Sequence, residues 1–315
     1  MLKILKTSAY TSIQDLGRTE YRSYAVSLGG AVDRFALHCA NLLVGNLPDT
    51  PAIEIALGPV AIQFKRDCWI SLMGADFNAT LDHKKIFHGW RHPVKSEQIL
   101  RLSHAQTGVF TYLAIDGGIE IQTILGGKGT DLNNKFGGFN GRNLQNGDEL
   151  KLGKPNFLSK CIGILQPSRS NRIRIITGPE FNNLTPLSQE DFWSQNWNVT
   201  SESNRMGYRL SGNILRFSTH QEMLSHVVFP GLIQLPPNGQ PIVLLADAQT
   251  TGGYPRIGWI IAADMWQFVQ TQFSKTIQFS PCSLAEAIQA LKKQEEYKNK
   301  IQWGLNYIQR ELNEN

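Results

Sequence analysis

Apolar positions in the first half of the chain come in short runs closed by Gly, Pro, Asp or Asn. AIEIAL (52–57), VAIQF (60–64), CWISLM (68–73), QILRL (98–102) and VFTYLAI (109–115) are examples, and a brief run at Leu2–Leu5 opens the chain. These runs are rich in β-branched and aromatic residues and too short for helices, so they predict strands. Their spacing predicts antiparallel sheet curled into a barrel or sandwich, not a parallel α/β sheet. One segment breaks the pattern. From Arg34 to Val44, Phe35, Cys39, Leu42 and Leu43 share a helical face, Asp33 stands where an N-cap belongs, and Gly45-Asn46 supplies a stop.

The second half has the same character. RIRIIT (172–177), WNVT (197–200), NILRF (213–217) and Ile242–Ala246 read as strands, and Gln189–Gln195 as a helix. Between Ile260 and Phe273, Trp266, Val269 and Phe273 align on one helical face. Leu284, Ile288, Leu291, Ile301, Leu305, Ile308 and Leu312 predict a long C-terminal amphipathic helix with a polar break near Glu295. Core packing is the simpler reading of that stripe, and a partner surface is the alternative. Lys154–Asn171, with Pro155, Pro167 and several serines, reads as a linker. The expected organisation is a β-rich half over 1–155, a second over 170–283, and a terminal helix over 284–315. The expected fold class is mostly β with a few helices.

Composition narrows the function classes. Of 315 residues 41% are hydrophobic and 18% charged, which is globular and not disordered. The net charge of +5 permits anionic ligands, but the basic residues are scattered and form no stripe interleaved with aromatics, so nucleic acid is not expected. Cys39, Cys68, Cys161 and Cys282 are far apart with no CxxC, as expected of reduced, inert thiols. The opening MLKILKTSAY is too short an apolar run for a signal peptide, and no run reaches a membrane span. A cytoplasmic protein without membrane contact is expected.

Candidate chemistry concentrates in GLIQLPPNGQPIVLLADAQTTGGYPRIG (231–258). An interior strand at 242–246 holds its own end rigidly, and Asp247, Gln249, Thr250, Thr251, Gly252, Gly253, Tyr254 and Arg256 follow it. The Gly pair allows positive φ or close approach to a ligand, and Pro255 fixes the exit. Amide, hydroxyl and guanidinium groups on such a loop suit a small acidic molecule. A hairpin corner with solvated side chains is the competing reading. Arg205 and Arg209 flank Gly207 and could grip a carboxylate or phosphate, or form structural ion pairs. Gly126-Gly127-Lys128-Gly129-Thr130-Asp131 fails the Walker pattern, though backbone N–H contact with phosphate stays open. His83, His88 and His92 crowd one loop without metal-ligand spacing, so no metal is expected. No G-x-S-x-G elbow occurs.

The 231–258 segment resembles the signature of the family that holds the C subunit of 5-oxoprolinase, KipA and allophanate hydrolase subunit two. That family is related to the carboxyltransferase part of urea carboxylase. The pattern G-x-IQ-x-P-x-G-x-PI, then D-x-QTTGGYP-x-IG, is met from Gly231 through Gly258. Further blocks match at Gln14, Asp15, Gly17 and Arg18, at Gly30, Ala31 and Asp33, at Ala40, Asn41 and Leu43–Asn46, and at Arg205–Leu210. The likeness extends over roughly Thr7 to Ala287. The chain departs from the pattern at Gly29, Gly127 and Gly129, where the family has Ser, and at Val32, where it has Met.

The resemblance implies cyclophilin-like β-barrel units. It also implies the role of the C subunit in an ATP-dependent 5-oxoprolinase, a lactam hydrolase. Its implied partners there are a KipI-type protein, like the B subunit, and the A subunit of the same enzyme. On that reading Arg256 or Arg205 anchors the substrate carboxylate, Arg209 is a further substrate-binding candidate, and Gln249, Thr250 and Tyr254 bind the lactam beside Thr251, Gly252 and Gly253. Asp15 or Asp247 then handles or orients a proton. ATP is the implied cofactor of the complex, and the chain has no biotin-carrier motif. Two other roles remain open: a KipA-like regulator that sequesters a kinase-inhibiting partner, and a component of a biotin-dependent carboxyltransferase.

Overall fold

The computed structural model describes residues 1–156, 158–219 and 223–314. The chain is mostly β, as expected, and divides into two compact units. The first comprises Met1–Gly17, Asp33–Pro167 and Glu295–Asn315; the second comprises Arg18–Val32 and Ser168–Gln294. A cut by chain order therefore misses two exchanges: residues 18–32 group with the second half, and the end of the terminal helix groups with the first.

The first unit carries two sheets. In one, Tyr10–Gln14, Ala52–Ala56, Thr107–Ile115, Cys68–Asp76 and Arg91–Val94 lie side by side, all antiparallel. Register puts Ile13, Ile53, Leu113 and Leu72 in one row across it, and all four are buried. The other sheet runs Glu149–Leu150, Leu2–Lys6, Val60–Phe64, Ile99–Leu102, Thr80–Leu81 and Lys84–Lys85. Its Leu2, Ile62, Phe64 and Leu100 share the same apolar core.

The first of these sheets is covered on both faces, which is why AIEIA is buried throughout and does not alternate. Helix α1 (Arg34–Leu43) packs on its second face, where the Ser71 hydroxyl donates to Ala40 O at 2.6 Å. Asp33 caps α1 as expected, accepting from the Ala36 N–H at 2.9 Å. On the same face the Tyr112 hydroxyl donates to Glu54 at 2.7 Å and accepts the Asp33 N–H at 2.8 Å. Burial and then the neighbouring carboxylates hold the Tyr112 phenol well above its ordinary pKa.

The second unit is a closed barrel. Its strands run Arg172–Thr177, Arg256–Ile260, Leu232–Gln234, Ile242–Leu244, Gly207–Ser211, Trp197–Val199 and Thr276–Pro281, and the last closes on the first in parallel. The expected strand NILRF is irregular; GYRLS at 207–211 takes the barrel position, and Ile214 is solvent-exposed. Helix α2 (Pro186–Ser194) starts before the expected Gln189, because Thr185 caps it and Pro186 suits its first turn. Over 260–273 only α3 (Met265–Val269) is α-helical, and it buries Phe268 and Val269 while Trp266 and Phe273 stay half-exposed.

The terminal helix α4 (Leu284–Glu314) continues through Glu295 without the expected break. Ser283 and Glu286 form a reciprocal capping box at its start. Core packing is not what its first apolar residues do: Leu284, Ile288 and Leu291 are 65%, 60% and 40% exposed. Leu305 is buried, and the Leu312 side chain lies outside the described residues.

Candidate functional site

In the second unit the strand Ile242–Leu244 delivers the chain to Asp247, which is buried beneath the corner. Its carboxylate accepts from Arg205 Nε at 2.8 Å and Nη2 at 2.9 Å, and Arg205 Nη2 also donates to Gly30 O at 2.7 Å. Backbone links reinforce the pair: the Asp247 N–H donates to Arg205 O at 3.0 Å, and the Gly29 N–H to Ala246 O at 2.8 Å. Gly29 and Gly30 sit at φ +60° and +75°, a conformation that favours glycine. Arg205, Asp247 and the Gly29-Gly30 turn thus form one buried assembly.

Arg256 is engaged in the same way. Its Nη2 and Nε donate to Glu180 Oε1 and Oε2 at 2.7 and 3.1 Å, and its N–H to Oε2 at 2.9 Å. Burial raises the Glu180 pKa, but the bonds from Arg256 outweigh it and leave the group below its ordinary value; Arg256 is raised by the same bonds. An anion bound by Arg205 or Arg256 would share the guanidinium with a carboxylate already in place. Arg209 does not join them. Half-exposed on its own strand, it lies 3.8 Å from Glu202.

Between these braces the loop presents Gln249, Thr251 and Tyr254 to solvent, with Thr250 half-buried. None of the four side chains makes a hydrogen bond among the described residues. Neither Gly252 nor Gly253 has positive φ. Gly252 makes a close approach instead: a Cβ there would lie 2.8 Å from Gln234 Nε2, 3.3 Å from Val228 Cγ1 and 3.4 Å from Gln249 Nε2. Two carboxamides therefore flank this glycine. Gln234 is buried, and its Nε2 finds no acceptor among the described residues. A donor left this way costs free energy unless a ligand or water accepts from it. Sequence reading passed over Gln234 as a site residue, although it stands inside the quoted motif.

The first unit holds a constellation of its own residues at the end of Tyr10–Gln14. Asp15, 6% exposed, accepts the Gly17 N–H at 2.8 Å and the Lys128 N–H at 2.5 Å. Gln14 donates to Thr130 O at 3.2 Å while its buried Oε1 lacks a donor among the described residues. The loop at 126–130 lies directly on this strand end, since a Cβ on Gly129 would come within 2.8 Å of both Asp15 Oδ1 and Gln14 Oε1. Beside it opens a cavity of about 690 Å³, bordered by Asp15, Lys128 and the 117–123 segment. The three loop histidines gather no metal site: His92 bonds to Phe87, His88 approaches Asp76, and no cluster of ligating side chains occurs among the described residues.

Residues 24–281 match the family model described as carboxyltransferase domain, subdomain A and B. The chain is 46% identical to the 5-oxoprolinase C subunit of Escherichia coli over 97% of its own length and 99% of that protein. It is 40% identical to the protein of the same name from Haemophilus influenzae, covering 96% and 97%. A 30% likeness to urea amidolyase of Saccharomyces cerevisiae spans 94% of this chain and 17% of that one. Among solved structures, urea carboxylase of Kluyveromyces lactis superposes with a TM-score of 0.88 at 27% identity, over 95% of this chain and 29% of the larger one. No helix among the described residues is long and apolar enough to cross a membrane.

Proposed function

The chain belongs to the carboxyltransferase-domain family of subdomains A and B, and we propose that it serves as one subunit of an ATP-dependent 5-oxoprolinase. The observation that carries this reading is the 46% identity, end to end, with a protein named as the C subunit of 5-oxoprolinase. The chemistry accounts for the nucleotide. A five-membered lactam is a poor electrophile, and phosphorylating its amide oxygen exposes the carbonyl carbon to water, giving L-glutamate, ADP and phosphate. Such a site needs hydrogen-bond donors aimed where negative charge develops.

At this corner of the second unit the Gln234 Nε2 and the side chains of Gln249, Thr250, Thr251 and Tyr254 have no hydrogen-bond partner among the described residues. We assign the lactam to them. Arg205 and Arg256, each clamped by a carboxylate, hold the corner in shape and lend residual positive charge to the substrate carboxylate. Asp247 orients Arg205 and keeps the loop base rigid. The partners in this reading are the A subunit of the enzyme and a KipI-type protein in the place of its B subunit.

The test is glutamate release from 5-oxoproline and ATP by the reconstituted complex, omitting each component in turn. Loss of turnover when this chain is omitted supports the proposal, and undiminished turnover without it refutes it. Gln234→Leu, which keeps the volume but removes the carboxamide, is expected to cut kcat/KM by about tenfold to a hundredfold.

A further inference from the structure

The corner of the second unit is crossed by a strap of chain, residues 224–229. Within it His226-Val227 forms a short antiparallel ladder with Thr251-Gly252, and His226 stands opposite Gly252. Directly opposed residues of such a ladder carry their side chains on the same face, with Cβ atoms roughly 4.5–5.5 Å apart. What lies on that face follows from what a Cβ on Gly252 would meet: Gln234 Nε2, Val228 Cγ1 and Gln249 Nε2. Val228, two residues after His226, is fully buried, whereas Val227 between them is exposed. The alternation turns the imidazole inward, towards the two carboxamides.

The roles of the two ring nitrogens are set locally. His226 Nδ1 lies 3.2 Å from Leu224 O. A carbonyl only accepts, so Nδ1 bears the hydrogen and Nε2 of the neutral ring presents a lone pair. That Nε2 is buried and has no partner among the described residues, and the same holds for the donor Gln234 Nε2. An orphan acceptor and an orphan donor thus share one face, beside a residue that has no side chain. Each costs free energy until something bonds to it. A lactam supplies both partners from a single edge, because its ring holds the N–H cis to the C=O and the two project side by side. An open-chain secondary amide is trans and projects them in opposite directions.

Both nitrogens are sealed from solvent, so a ligand reaches them only when the strap lifts. Few bonds hold it down: the short ladder, the Val228 N–H to Thr250 O at 3.0 Å, and Arg22 Nη2 to Val228 O. Leu224, Val227 and Phe229 are exposed, so beyond Val228 little apolar burial resists its opening. We propose that residues 224–229 are a substrate lid and that His226, carried on it, accepts the N–H of a cyclic amide while Gln234 donates to the carbonyl. This inference rests on the lactam site proposed above and adds the group that selects a lactam. Urea and primary amides also hold an N–H cis to the carbonyl, and the experiment separates these sources.

The experiment is calorimetric titration of the full chain, alone and in its complex, with 5-oxoproline, with the lactone in which oxygen replaces the ring N–H, and with urea. 5-Oxoproline is expected to bind about tenfold or more tightly than the lactone. His226→Phe keeps a ring without the lone pair and should reduce that preference to within about threefold, with an unchanged thermal midpoint to show that it is folded. Saturating 5-oxoproline should slow hydrogen exchange at the Val228 amide by about tenfold or more. Equal affinity of the unaltered protein for lactam and lactone overturns the proposal whether or not the variant folds. A preference that survives in His226→Phe, or absence of 5-oxoproline binding in both preparations, overturns it as well, and unslowed exchange at Val228 overturns the lid. Glutamate release by a complex whose lactam preference ignores His226 overturns this assignment and leaves the proposed function standing. Tighter binding of urea than of 5-oxoproline, or His226-dependent lactam binding with no glutamate release, does the reverse.

Discussion

Two glycine-bearing corners follow the ends of interior strands in this protein, and they treat their charges in opposite ways. In the second unit, Arg205 is locked to Asp247 and Arg256 to Glu180, each through two guanidinium nitrogens, while the neutral side chains of the loop make no hydrogen bond among the described residues. In the first unit, Asp15 accepts from backbone N–H groups, and Lys128, whose backbone it holds, has an ammonium with no hydrogen bond or ion pair among the described residues, beside a cavity. A cation already matched by a carboxylate is a structural brace; one left unmatched at a cavity is available to a ligand. Residue type alone does not distinguish these cases.

The largest expected effect tests the brace. Asp247→Ala leaves the buried Arg205 guanidinium without its carboxylate, and should cost about 3–5 kcal/mol of stability in urea titration. Lys128→Ala should move the same transition by less than about 0.5 kcal/mol. Equal losses from the two variants would erase the contrast between the corners. Next, Gly129→Ala and Gly252→Ala each force a Cβ to within 2.8 Å of a side-chain polar atom. Each should cost about 1–3 kcal/mol by the same titration. A neutral result at either would mean that the neighbouring amide swings away and the close contact is dispensable.

The Glu180–Arg256 brace is expected to show itself in acid. The folded pKa of Glu180 lies below its ordinary value, so its contribution is fully present above pH 4.5 and is lost as pH falls through the folded value. Glu180→Gln should lower stability by about 1–2 kcal/mol at neutral pH and flatten the acid limb of the thermal midpoint between about pH 5 and pH 3, ranges drawn from the usual worth of charged hydrogen bonds. An unchanged acid limb would remove Glu180 from the account. Smallest of all, Ile288→Lys on α4 should alter stability by no more than about 0.5 kcal/mol, since that side chain is already 60% exposed. A larger loss would return the stripe to the core.

Local signals were legible because they act over a few residues. Strand composition and spacing, the Asp33 cap and the Gly45 stop each depend on neighbours in the chain, and each reappears in the structure. The likeness carried by Gly231–Gly258 likewise agreed with the family match across residues 24–281. Errors arose where long-range partners decide. NILRF has strand composition, but its barrel position is taken by Gly207–Ser211, which register places beside Ile242–Leu244. The stripe Leu284, Ile288 and Leu291 has core periodicity, yet these side chains remain 65%, 60% and 40% exposed.

What the sequence determined unaided was the class of fold, most of the inventory of strands and the motif that marks the family, all of which follow from local composition. Only tertiary structure decided which arginine meets which carboxylate, that Gly252 lies against the Gln234 carboxamide and has no positive φ, and that Lys128 lines a cavity. Those outcomes depend on distances between residues as many as 113 positions apart, such as Asp15 and Lys128. Spacing along the chain carries no record of a distance that only the packed sheets create.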